Sequence, residues 1–441
     1  MKRILIVASL FANTTLLLAQ QATTMYVQSG KLYKKNGQKI VLRGMNYNLL
    51  DNGNIIMANN SQSYKAFIDQ IALTGANSIR IPWFTDEYAH WRKNYPNTGT
   101  PQAAVDNGQL SNLIGYCHQK GLVPILELHD FTCDNNWTNF MTKAQNWWLQ
   151  PNVKNLIQQH KEYLIINIAN EFGKVRWTNN QPASLNIFKN NYKQLITNLR
   201  SAGIDVPIMI DAPDCGQSSS ELLSIAPEIN NHDTQHKIIF SGHSYWYAYA
   251  PTVSDVTAKI NEANTSNVCF VFGEVSNRQD VTGAPADGVY NIDYTYQTIL
   301  SQSCEKEISW LVWTFNHDWH SERKISPTSN VNNLTAFGND VLYNTNYGLL
   351  TSNCGQNLST NVSLSSPERP KIYPNPSKDY FVITGITDIV SVKIIRADGS
   401  LANILYENFE RINISNLPKG IYFLDIQTKD KSYKEKIIVS E

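Results

Sequence analysis

The sequence predicts an α/β fold, a (β/α)8 TIM barrel followed by a small all-β sandwich, and two observations carry that expectation. From Tyr26 to about Leu350, short apolar runs recur with longer mixed segments between them, the pattern of a repeated strand–helix unit around a parallel sheet. After Pro370 only short alternating runs remain, separated by turn residues. A length of 441 residues suits one large domain plus one small one. The expected boundaries are a signal peptide at 1–20, the barrel at 22–358, a linker at 359–370 and the sandwich at 371–441.

The N-terminus reads as an export signal. Lys2 and Arg3 precede an apolar run from Ile4 to Leu18, and Ala19-Gln20 offers a small-residue cleavage point. Asn13, Thr14 and Thr15 interrupt that run, which is also too short for a membrane span.

The barrel strands are expected in Ile40–Met45, Ser78–Trp83, Leu122–His129, Tyr163–Ala169, Val206–Asp211, Lys237–His243, Asn267–Glu274 and Ile308–Trp313. Between them lie amphipathic helices. In Ser63–Leu73, for example, Tyr64, Phe67, Ile68 and Ile71 share one helical face, and Gly75 supplies a stop, as Gly121 and Gly203 do later. Several runs end in polar residues: Asn46, Arg80, His129, Asn170-Glu171, Asp211, His243 and Glu274. A polar group at the end of a buried strand is costly unless it meets water or a partner. In a (β/α)8 barrel those strand ends build the active site.

Composition narrows the partners. Lysine plus arginine equals aspartate plus glutamate at 37 each. The zero net charge argues against a nucleic-acid partner and against binding to an anionic membrane. Ten Trp and 22 Tyr permit stacking on sugar rings, although large cores use them too. No glycine-rich phosphate loop occurs, and His317-Asp-Trp-His320 has no known metal-ligand spacing, so neither cofactor nor metal is expected. Six widely spaced cysteines leave disulfide pairing open, with Cys269 reading as a buried thiol in an apolar run. The chain is expected to act as a monomer.

Retaining glycoside hydrolysis needs two carboxyl groups roughly 5–5.5 Å apart, held in different protonation states. Glu171 follows Ile165–Asn170 and Glu274 follows Val271–Gly273. On the fourth and seventh strands they would point into one cleft. Each neighbour also has a plainer reading: Arg80 as a rim ion pair, His129 and His243 as structural histidines, Trp313 as core. All fall at the ends of different strand candidates, which favours a site.

These motifs resemble glycoside hydrolase family 5, the cellulase and mannanase family, over most of Tyr26–Leu350. The resemblance rests on Ser78-Ile-Arg-Ile-Pro82, Leu126-Glu-Leu-His129, Asn170-Glu171, His243-Ser-Tyr245, Glu274 and Trp310-Leu-Val-Trp313. It implies Glu171 as proton donor and general base, and Glu274 as nucleophile. Asn170 would bond the sugar 2-hydroxyl, Arg80 and Tyr245 would hold Glu274, His129 and His243 would shape the floor, and Trp313 would stack under the sugar. Val123–Asp130, Ile165–Glu171 and Ile210–Pro213 with Gly216-Gln217 are similar to the bacterial endo-β-1,4-mannanase branch. Ile81–Trp83 and Thr314–His317 depart from it, so β-1,4-glucan stands beside β-1,4-mannan as substrate. A non-catalytic carbohydrate-binding surface protein is the alternative from another class. Trp83, Trp137, Trp177, Trp246 and Trp319 are candidate stacking residues along the cleft.

The last 70 or so residues carry strand runs at Tyr380–Thr384, Ser391–Arg396, Gly420–Ile426 and Ser432–Val439, with Asp398-Gly399 as a turn. Tyr373-Pro-Asn-Pro376, Asp379-Tyr-Phe381, Leu417–Tyr422 and Lys436–Val439 resemble the C-terminal sorting domain of the type IX secretion system. That implies the type IX machinery as partner and a secreted or cell-surface location. A carbohydrate-binding sandwich is the alternative, with no tryptophan in the segment to serve it.

Overall fold

The computed structural model describes residues 22–47, 64–86, 100–280, 288–318, 320–352, 354 and 370–440, the last stretch without 385, 387, 408, 410 and 429–431. The leader expected at 1–20 and, apart from Pro370, the linker expected at 359–370 lie outside the described residues. The chain divides into two compact units, 1–358 and 359–441.

In the first unit eight parallel strands close into a barrel. They are β1 (Arg43–Asn46), β2 (Ser78–Trp83), β3 (Val123–Leu128), β4 (Ile165–Asn167), β5 (Ile208–Asp211), β6 (Ile238–His243), β7 (Cys269–Val275) and β8 (Ser309–Val312). Each pairs with its sequence neighbours, and β8 pairs with β1 to close the ring. Helices separate the strands, as the α/β periodicity requires. Val253–Thr265 shows how sharply they are bounded: Thr252 and Asp255 form a reciprocal capping box at its start. The first expected helix spans Tyr64–Leu73, with Ser63 outside the described residues.

Of the barrel strands, only Ser78–Trp83 matches its expected bounds; the others are trimmed or shifted by one to three residues, and the first also changes sheet. Lys39–Ile40 pairs with Lys31–Tyr33 in a separate three-stranded antiparallel sheet, and the barrel strand begins only at Arg43. Ile40 and Leu42 still bury their side chains with the barrel-floor cluster, so hydrophobicity ran continuously across a change of sheet.

Strand alternation sorts the barrel into layers. Ile79, Ile81, Leu126, Leu128, Ile166, Ile208, Ile210, Phe240, Phe270 and Phe272 belong to the large core cluster that also holds the helices' apolar faces. The opposite parity fills the interior. Its lower layer is apolar, with Leu42, Val123, Ile125, Ile165, Met209, Ile239, Cys269, Val271 and Leu311. One or two steps further along six of the strands, the same face carries Asn46, Arg80, Glu127, Asn167, Asp211 and His243, all buried. Apolar floor and polar ceiling are two rungs of one ladder.

In the second unit β9 (Lys371–Tyr373), β10 (Tyr380–Thr384) and β13 (Ile412–Asn413) form one antiparallel sheet. The strands β11 (Ile389–Arg396), β12 (Leu401–Leu405), β14 (Gly420–Thr428) and β15 (Ser432–Val439) form a second. Alternate residues Tyr422, Leu424 and Ile426 of β14 enter a core with Phe381, Val392, Ile394 and Ile437. The Tyr422 hydroxyl donates to the Pro418 carbonyl at 2.7 Å, which satisfies the one polar atom that this tyrosine brings inside.

A Cβ placed on Gly44 would collide with the Ser78 backbone, because β1 and β2 approach closely there. Gly44→Ala should therefore destabilise the barrel by about 1–3 kcal/mol. A lower urea midpoint at unchanged slope checks this.

Candidate active site

Arg80 organises the polar ceiling. It lies on β2 with no exposed surface, and its donors fan out over the barrel mouth. Nε donates to Asn167 Oδ1 at 2.8 Å, and Nη1 donates to Asn46 Oδ1 at 3.0 Å and Glu274 Oε1 at 2.8 Å. Nη2 donates to Asn170 Oδ1 at 2.9 Å and Asp211 Oδ2 at 3.2 Å, and lies 3.6 Å from Glu127 Oε1. Burial works against its charge, but the surrounding carboxylates of Glu127, Asp211 and Glu274 raise its pKa further.

Glu274 reaches this site through an irregularity. Strict alternation would aim it at the helices with Phe270 and Phe272. Instead β7 shifts register between Phe272 and Glu274 against β6, leaving Gly273 as an extra residue. Such a bulge re-aims the next side chain, and Glu274 turns inward. The Gly273 carbonyl accepts from Asn46 Nδ2 at 2.9 Å. Tyr245, just past β6, donates its hydroxyl to Glu274 Oε2 at 2.7 Å. Both oxygens of Glu274 are thus held, one by a cation and one by a phenol. Burial first, then the charge of Glu274, push the Tyr245 pKa well up, so the hydroxyl keeps its proton to donate.

Glu171 stands four residues beyond β4, at φ 50°, a left-handed backbone that is strained for a glutamate. Its N–H donates to Asp211 Oδ2 at 3.3 Å, and its Oε1 lies 2.8 Å from His243 Nδ1. His243 also faces Glu274 Oε1 at 3.5 Å and Asp211 Oδ2 at 3.6 Å. Its ring is wedged between glycines: a Cβ on Gly216 would sit 2.6 Å from its Cγ, and one on Gly273 would sit 3.0 Å from its Nε2. One carboxylate oxygen from each of Glu171 and Glu274 and one His243 nitrogen all lie within 4.8 Å of one another.

The two glutamates differ in surroundings. Burial raises the pKa of Glu171; His243 opposes this and the charge of Glu274 adds to it, with a net rise. Glu274 instead sits directly on a guanidinium. For His243, burial disfavours the imidazolium, but the charges of Glu274 and Asp211 prevail and raise the pKa to about 10. Burial also opposes ionisation of Asp211, yet His243 and Arg80 hold it down to about 2. A protonated His243 has no lone pair to offer a metal, so the trio is poor as an ion site and suited to proton transfer.

The remaining sequence-predicted residues converge on the same mouth. Asn170, 2% exposed, donates through Nδ2 to Thr132 Oγ1 at 3.0 Å while accepting from Arg80. His129 Nδ1 lies 3.1 Å from Glu127 Oε2, and its ring lies parallel to that of Trp313 at 5.8 Å. Trp313 is half-buried, and its Nε1 donates to Asp318 Oδ2 at 2.7 Å. Of the stacking candidates, Trp83 and Trp246 are fully buried core residues and Trp137 packs edge-on against Phe140, Phe172 and Phe188. Trp177, on the loop after β4, is 52% exposed, and Trp319 lies outside the described residues.

Sequence reasoning assigned no role to Glu127, Asn167 and Asp211, or to Asn46. The signal existed: each is a polar residue on the inward parity of an apolar strand. The pairing of Cys133 with Cys215 and of Cys304 with Cys354 had no such signal; Cys117 and Cys269 are buried free thiols.

Comparison with known proteins identifies the family and supports the fold. Residues 33–318 match the family described as cellulase (glycosyl hydrolase family 5). The mannan endo-1,4-beta-mannosidase of Salipaludibacillus agaradhaerens is 26% identical over 348 residues, covering 78% of this chain and 99% of that protein. That of Cellvibrio japonicus (strain Ueda107) is 27% identical over 350 residues, covering 77% of this chain and 71% of its own. The catalytic domain of a mannanase from Streptomyces sp. SirexAA-E superposes with TM-score 0.60 at 22% identity, covering 79% of this chain and 98% of that one, a likeness of fold. Residues 371–440 match the secretion system C-terminal sorting domain, which marks the chain for export to the cell surface or beyond.

The raised histidines make a pH test. A His with a folded pKa above its unfolded value of about 6.5 stabilises fully below that value and loses the contribution as pH rises. His243 and His129 are both raised. The urea midpoint should fall as pH goes from about 6.5 to 7.5, below the unfolded thiol pKa of about 8.5. His243→Gln should flatten most of that slope.

Proposed function

The chain belongs to the cellulase family, glycosyl hydrolase family 5, and from that premise we propose that it is a secreted retaining endo-β-1,4-mannanase. Glu274 attacks the anomeric carbon while Glu171 gives its proton to the departing glycosidic oxygen. This forms a glycosyl ester on Glu274 and releases the first product. Glu171, now a carboxylate, takes a proton from water, whose oxygen displaces Glu274 and restores both groups. Asn170 bonds the sugar 2-hydroxyl, Arg80 and Tyr245 hold Glu274 on line, His129 and His243 fix the floor, and Trp313 stacks beneath the ring.

The observation that carries this reading is the approach of the two carboxylates to within 4.8 Å. Retaining sites need about 5–5.5 Å, and inverting sites leave roughly 6.5 Å or more for a water. Burial raises the pKa of Glu171, the direction that a proton donor needs. Mannan rather than glucan is favoured by the names of both relatives above. The type IX secretion machinery is the proposed partner of the sorting domain.

Reducing ends should appear from galactomannan faster than from carboxymethylcellulose; release from cellulose alone rejects mannan. Glu171→Ala should lower kcat on mannan about 10²- to 10⁴-fold. With a dinitrophenyl β-mannobioside and azide, that variant should yield the β-glycosyl azide, while Glu274→Ala should yield the α-azide. An α-azide from Glu171→Ala would sink the double displacement. Deleting residues from Pro370 onward should leave the enzyme trapped in the cell envelope, read by fractionation.

A further inference from the structure

We infer that the Cys133–Cys215 disulfide is a positioning element for the acid/base, forming the wall behind Glu171 and fixing the loops on either side of it. The inference rests on the reading of Glu171 as the proton donor.

The bond joins residues 82 apart, from the loop after β3 to the loop after β5. Glu171 lies between them, on the loop after β4. Cys133 Sγ is 3.7 Å from Glu171 Oε2, and both sulfurs lie within 4.8 Å of a Glu171 oxygen. A disulfide sulfur has no proton to donate. The carboxyl is therefore asymmetric: Oε1 meets a histidine donor, whereas Oε2 meets apolar sulfur that displaces water.

The backbone around the bridge needs holding. Phe131, Cys133, Glu171, Asp214 and Cys215 all have left-handed φ, at 73°, 57°, 50°, 60° and 54°. Residues other than glycine avoid that region unless their surroundings impose it. Hydrogen bonds lace the three loops in series: Gly173 N donates to the Asp134 carbonyl at 2.8 Å, and Asp214 N donates to the Gly173 carbonyl at 2.7 Å. Asp214 Oδ1 then accepts from Val175 N at 2.9 Å. Next to Cys215, Gly216 packs on the His243 ring. The bridge therefore touches the acid directly and sets, through Gly216, the histidine that binds its other oxygen.

The charged groups facing Glu171 are His243 from β6, Glu274 from β7, Asp211 from β5 and, at longer range, His129 past β3 and Arg80 on β2. None belongs to the bridge, so removing the sulfurs alters the hydration and aim of Glu171 without changing the fixed charges around it.

The chain supplies its own comparator. Cys304, on the helix Asp293–Lys306, pairs with Cys354, beyond the helix Ala336–Tyr343. In the full chain, Cys133→Ala/Cys215→Ala should move the alkaline limb of kcat/KM on mannan about 1 unit toward acid. Its kcat at pH 7 should fall about tenfold or more. Its glycosylation burst with the dinitrophenyl substrate should change little, because that leaving group needs no proton. Cys304→Ala/Cys354→Ala should melt lower yet keep both the limb and kcat.

If the alanine pair does not fold, the Cys304→Ala/Cys354→Ala protein can be treated with a water-soluble phosphine. One phosphine and one water give two thiols and a phosphine oxide, opening only the 133–215 bridge. Folded protein, followed by near-UV circular dichroism, should show the same limb shift. An unmoved limb and kcat in a folded protein lacking the bridge, by either route, overturns the inference. Should Glu171→Ala itself hydrolyse mannan normally, the proton-donor reading fails instead.

Discussion

A single buried guanidinium is the constraint on which this site depends. Arg80 enters the barrel at the level where its interior changes from apolar to polar, and it is wholly removed from solvent. Burying an ion costs several kcal/mol even after relaxation, and removing one partner of such a pair costs about 3–5 kcal/mol. The cluster is tolerable because each face of the guanidinium meets a fixed acceptor: Asn46, Asn167, Asn170, Asp211 and Glu274. Those acceptors come from four segments of the barrel: β1, β4 with its following loop, β5 and β7. The cation therefore fixes their mutual positions, and the geometry of the mouth follows from satisfying one side chain.

From that arrangement comes the division between the two glutamates. Arg80 bonds Glu274 directly and reaches Glu171 only at second hand, through Asp211, which accepts from the Glu171 backbone. Glu171 gets a histidine on one oxygen and sulfur on the other. Desolvation consequently outweighs attraction at Glu171, whereas Glu274 has a cation and a phenol in contact. Two identical side chains stand in different surroundings, because a permanent guanidinium touches Glu274 whereas Glu171 meets a titratable imidazole. His243 buffers the gap, since a ring charged up to about 10 faces Asp211 and both glutamates.

The strands were legible because their apolar runs are short and evenly separated, and the polar ceiling was legible wherever a run ended on a polar residue. His129, Asn170 and His243 were visible in that way, whereas Arg80 stands in the middle of β2 on its inward parity and not at its end. Glu127 was harder: it lies between Leu126 and Leu128, and only knowing which parity faces inward separates it from an outward rim charge. Glu274 was found for a reason that local rules do not contain. Alternation from Phe270 and Phe272 aims it outward, and the bulge at Gly273 reverses it. The tryptophans misled because size and polarity are the same for a core ring and a sugar platform; Trp83 and Trp246 pack beneath the helices. Cysteine pairing depends on which loops meet in space, which no spacing along the chain encodes. The start of the first strand was blurred because Ile40 and Leu42 are both buried at one floor while belonging to different structures.

Charge placement ties the site to the surface. The chain is neutral overall, with only 17% charged residues, yet it commits Arg80, Glu127, Glu171, Asp211, His243 and Glu274 to one buried mouth. An ionic substrate would gain from a charged approach, because a surface field speeds encounter. A neutral polysaccharide feels no such field. For it, a strong field matters only at the anomeric carbon, where positive charge develops as the bond breaks. A charged mouth in a chain with no net charge suits the neutral polysaccharide proposed as substrate. On the proposed reading, selectivity among neutral glycans is left to ring stacking and hydroxyl contacts, for which half-buried Trp313, Asn170 and the exposed Trp177 are the candidates.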